Sequence, residues 1–104
     1  MNAPGDNPSY EVHCSALVAQ ALKDLQRKAS QAGVGEQVLS AIKAIHERLA
    51  NAPLEFGEPL YQLHTLKLLV RVGIMSPLVV EYAVYEEAPL VFLRGVKALP
   101  GHEW

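Results

Sequence analysis

Residues 54–63, LEFGEPLYQL, place Gly57, Pro59 and two carboxylates, Glu55 and Glu58, inside an otherwise apolar stretch, with Pro53 just before it. On its N-terminal side apolar residues recur every three or four positions; on its C-terminal side they fall in short β-branched and aromatic runs. Pro53 and Pro59 cannot donate ladder hydrogen bonds, and Gly57 relaxes the backbone between them. The stretch therefore reads as the crossover from a helical layer to a sheet.

Upstream, YEVHC (10–14) reads as a short first strand. Ser15 is placed to cap the following helix, SALVAQALKDLQRKASQAG, whose stripe is Val18, Ala21, Leu22, Leu25 and Ala29. Gly33 and Gly35 end it and permit a tight reversal. A second helix, EQVLSAIKAIHERLAN, carries Val38, Ile42, Ile45 and Leu49 on one face and closes at Asn51 and Pro53. So short a turn makes the two helices an antiparallel hairpin.

Downstream, strands are expected at 66–74, 78–85 and 90–99, joined by hairpin-length connections. The fold class is thus α+β in the order β-α-α-β-β-β, an antiparallel helical hairpin packed on a small, mainly antiparallel sheet. One domain is expected over residues 10–99, with a flexible arm at 1–9 and a C-terminal tail at 100–104.

The formal net charge of −2 offers no general attraction to nucleic acid or to an anionic membrane. Cys14 is the single cysteine, so an intrachain disulfide and a thiolate metal cluster are excluded. His13, His64 and His102 lack metal-ligand spacing, and His46 reads as a surface residue. No metal or cofactor is expected. No secretion signal or membrane-length apolar run is seen, so a cytoplasmic protein is expected, without a membrane partner.

The order and wording of these segments resemble the RelE/ParE superfamily of toxins from bacterial type II toxin–antitoxin modules. YEVHCS is similar to that family's opening strand and capped helix. IHERLANAPLEFGEPLYQL is similar to its helix end, Pro turn and G-x-P-L-x-x-L entry to the sheet. VRVG, VVEYAVY and LVFLRGVK resemble its arginine-containing, tyrosine-containing and last strands. The resemblance implies a RelE/ParE-like fold and a cognate antitoxin as partner. Its implied target is the ribosome with its messenger RNA, or DNA gyrase; a homodimer is a further option. The alternative is a catalytically inert interaction module that keeps the toxin fold. Many members carry a tyrosine-arginine pair where Ser76, Pro77 and Leu78 stand here, which leans away from ribonuclease chemistry.

Strand alternation selects the candidate site. Lys67, Arg71, Glu81, Tyr85 and Arg94 are expected on the sheet face away from the helices, with Leu66, Leu68, Val70 and Val72 toward the core. Gly95 is expected as a bulge that redirects Lys97. A metal-free ribonuclease needs a base, cations for the phosphorane and an acid for the leaving oxygen. Arg71 and Arg94 would supply charge, and Glu81, Tyr85 or His64 would move protons. Lys67, Arg71, Arg94 and Lys97 are the candidate contacts to RNA or to a protein partner. The competing reading for the same charges is a set of ion pairs on a solvated sheet.

Overall fold

The computed structural model describes residues 9–102 and 104; the arm expected over 1–9 lies, apart from Ser9, outside the described residues. The chain runs β1 (Glu11–Cys14), α1 (Ala16–Gln31), α2 (Gly35–Asn51), a single turn α3 (Pro53–Phe56), β2 (Glu58–Leu63), β3 (Leu68–Met75), β4 (Leu78–Tyr85) and β5 (Leu90–Ala98). The five strands form one sheet in the order β1-β5-β4-β3-β2. β1 runs parallel to β5, and every other pairing is antiparallel. The fold class and the helical hairpin agree with the sequence reading. The crossover, however, holds a further strand, β2, at the sheet edge.

Several helix boundaries have a local chemical reason. The Ser15 hydroxyl accepts from Val18 N at 3.1 Å and caps α1. Gly33 adopts φ +82°, a left-handed turn that favours glycine, and the chain reverses into α2. Pro53 starts α3, where its missing N–H removes no helical bond. The stripe of α2 is buried as expected at Val38, Ile45 and Leu49, with Ala41 beside them.

The core lies between the hairpin and one face of the sheet. Leu78, Val80, Tyr82 and Val84 of β4 alternate into it, joined by Val91 of β5 and by Ala29 of α1. The parity of β4 therefore matches the expectation. The parity of β3 is reversed. Arg71 stands opposite Tyr82, Leu69 opposite Val84 and Gly73 opposite Val80, so these residues of β3 share the core face. Val70 and Val72, expected in the core, lie on the helix-free face opposite Ala83 and Glu81. Because β3 is apolar on both faces, alternation could not tell which one meets the helices.

The described residues of the C-terminal tail return to the domain. Leu99 N donates to Pro77 O at 2.9 Å, His102 N donates to Leu99 O at 2.9 Å, and Trp104 packs, partly buried, against the core.

Candidate functional site: the helix-free sheet face

No helix covers the second face of the sheet, and the candidate charges divide according to which face they reach. Glu81 of β4 and Arg94 of β5 meet on this open face, with Arg94 Nε donating to Glu81 Oε2 at 3.1 Å. Their pairing depends on a bulge. Tyr82 stands opposite Leu93 but Glu81 opposite Gly95, leaving Arg94 as the extra residue. Beyond it Lys97 stands opposite Val79 on the same face. Glu81, Arg94 and Lys97 line an open depression of about 440 Å³ together with Val72, Val79 and Gly95.

Arg71 does not join them. It is 8% exposed, on the core face, and its guanidinium donates to Leu54 O at 2.9 Å and also to Gly57 O. Its opposite neighbour Tyr82 reaches the same segment. The Tyr82 hydroxyl donates to Pro53 O at 2.6 Å and accepts from Gly57 N at 2.9 Å. Two strand side chains thus satisfy the backbone of the crossover, groups that would otherwise be buried unpaired. The expectation that Arg71 faces away from the helices is corrected: its head is held by main-chain carbonyls in a structural site.

Lys67 is corrected as well. It lies in the β2–β3 turn with φ +57° and is exposed, outside β3 and away from the depression. His64 occupies the same turn. Tyr85 lies on the open face but at the far end of β4, about 13 Å from Glu81 at the usual strand rise. Its hydroxyl donates to Glu87 Oε1 at 3.2 Å. That hydrogen bond, with the neighbouring carboxylate charge, raises the Tyr85 pKa above its ordinary value. An anion on Tyr85 is therefore disfavoured, the reverse of what a phenolate base requires.

Of the candidate set, the structure brings together Glu81, Arg94 and Lys97. Arg71, Lys67, His64 and Tyr85 stand elsewhere. The Arg94 charge is largely matched by Glu81, which leaves Lys97 as the uncompensated cation in the depression. Among the described residues, no three His, Cys, Asp or Glu side chains come together to hold a metal ion.

The rest of the open face is apolar. Val70 and Ala83 are fully buried at its centre, Phe92 stands opposite Ala83, and Tyr61 opposite Val70. Ile74, opposite Val79, is 62% exposed. The signal for the role of Tyr82 is its parity with Leu78, Val80 and Val84, which puts a hydroxyl in the core, where it needs partners. The depression thus joins the apolar Val72 and Val79 with a single ion pair and Lys97.

No family model matches the chain, no curated protein matches it, and no solved structure matches it. Among the described residues, no helix is long and apolar enough to cross a membrane.

Proposed function

We propose that the chain is the toxin-like component of a bacterial type II toxin–antitoxin module, acting in the cytoplasm by protein contact rather than by RNA cleavage, and neutralised by a cognate antitoxin. The observation that carries this reading is the helix-free sheet face, where the exposed Ile74 stands across from Val79 and shares the face with Lys97 and the Glu81–Arg94 pair. Such a surface is chemically matched to a protein partner whose apolar side chains cover Ile74 and Val79. Its target is the translating ribosome or DNA gyrase. The segment order described for the RelE/ParE resemblance supports the toxin part of the reading, and the thin set of cations on the open face supports contact over phosphate chemistry.

A second reading, an inert interaction module on the same scaffold, is favoured by one specific observation. Arg71, the strand arginine of the resemblance, is engaged with Leu54 and Gly57 and is not displayed. Tightly induced expression in bacteria, with pulse labelling of protein and DNA synthesis, separates the readings. Arrest of protein synthesis identifies a ribosomal target, and arrest of DNA synthesis identifies gyrase. Unchanged growth with soluble, folded protein leaves the inert module.

A further inference from the structure

On the opposite side of the sheet, beneath the helical hairpin, lies a separate cavity of about 160 Å³. Its roof is Leu22 of α1 with Ile42 and Ile45 of α2, and its floor is Val80, Leu93 and Val96 of the sheet. Ile45 and Val80 are buried, whereas Leu22, Ile42, Leu93 and Val96 remain partly accessible, so the helices do not close over it. The exposed members of its lining, His13, Cys14 and His46, mark the mouth.

α1 buries little of its length. Ala29, near its C-terminus, is its one buried residue, while Leu17 near its start is 81% exposed. Along the rest of α1 the stripe residues Val18, Leu22 and Leu25 stay partly accessible, and the space beneath Leu22 is not filled by the described residues.

We propose that this cavity is a binding site for a small monocyclic aromatic molecule, with any polar substituent directed to the mouth beside His13 and His46. Two observations select that chemistry. The walls are aliphatic, and neither of the buried side-chain atoms found without a partner among the described residues, Gln26 Oε1 and Arg71 Nε, lines the cavity. An apolar cavity of comparable size, about 150 Å³, is known to accept benzene. The volume is also too small for a protein element, since a helix with its side chains is about 10 Å across. Burial of a single ring removes its apolar surface, and that of the partly accessible Leu22, Ile42, Leu93 and Val96, from water.

The test uses the full chain, with benzene and p-cresol as probes and methyl resonances and melting temperature as readouts. Saturable binding with a Kd at or below about 1 mM is expected. Methyl shifts should centre on Leu22, Ile42, Leu93 and Val96, accompanied by a rise in melting temperature. Leu22→Phe and Ile42→Phe place a ring in the space and should each reduce probe binding at least tenfold. No saturable binding to the wild-type chain, binding unchanged in folded filled variants, or shifts centred on Val72, Ile74 and Val79 would each overturn the assignment. Should both filled variants fail to fold, the wild-type methyl map decides alone.

Discussion

Arg71 and Tyr82 stand directly opposite each other on neighbouring strands and grip the same crossover from the same face. Between them they satisfy the carbonyls of Pro53, Leu54 and Gly57 and the N–H of Gly57. The stretch that changes the chain from helix to sheet is thus fixed by two side chains of the sheet it enters. The arginine that a basic-site reading would assign to catalysis is part of that lock.

Tyr82→Phe should keep the ring packed while leaving Pro53 O and Gly57 N buried without a partner. A loss of about 1–3 kcal/mol is expected, read as a lower urea midpoint with an unchanged slope. A neutral outcome would mean that the crossover is solvated and the lock is not formed.

Arg71→Ala and Arg94→Ala should differ in kind. The first removes a buried donor to two carbonyls and is expected to cost about 1–3 kcal/mol. The second breaks an ion pair that is about 39% exposed on the arginine side, for which about 0.2–1 kcal/mol is the usual range. Equal and small effects, by urea titration, would return Arg71 to the list of free functional cations.

Glycine positions offer a steric check. An added Cβ at Gly57 would stand 2.6 Å from Val72 O and 2.7 Å from the Tyr82 hydroxyl, so Gly57→Ala must displace backbone or break the lock. At Gly95 nothing lies within 4 Å, and Gly95→Ala should be nearly neutral. A destabilisation of about 1–3 kcal/mol is expected for the first alone.

Tyr85 should titrate above the ordinary tyrosine range, and Glu87→Gln should bring it back down, as followed by ultraviolet absorbance between pH 8 and roughly 12. The sign of the linkage follows from the raised value. The folded state holds the phenolic proton more tightly than the unfolded chain does. The stabilisation is therefore complete below the unfolded pKa and is lost as pH rises through the folded one. An unshifted Tyr85 would mean that the contact with Glu87 does not persist in solution.

The legible parts of the sequence were those with one apolar face. The stripe of α2 and the parity of β4 followed from spacing, because one register alone buries the apolar set, while the Ser15 cap and the bulge beside Gly95 followed from residue type. β3 was not legible in that way. LLVRVGIM is apolar on both faces, and what turns Arg71 inward is the crossover's carbonyls, residues distant in sequence. β2 was hidden because Pro59 argues against a strand and Leu60 is a bulge residue, both tolerated at a sheet edge. Lys67 resembled a strand residue in composition, but its positive φ puts it in the turn.

The most direct test of action by contact compares wild type with Ile74→Glu and Arg94→Ala after induced expression, mapping messenger 5′ ends alongside growth. Ile74 is exposed on the open face, so a carboxylate there should leave the fold intact while opposing an apolar partner. The account predicts arrested growth with unchanged messenger ends, relieved by Ile74→Glu. New messenger ends that disappear in Arg94→Ala, or growth that folded wild-type protein leaves untouched, would contradict it.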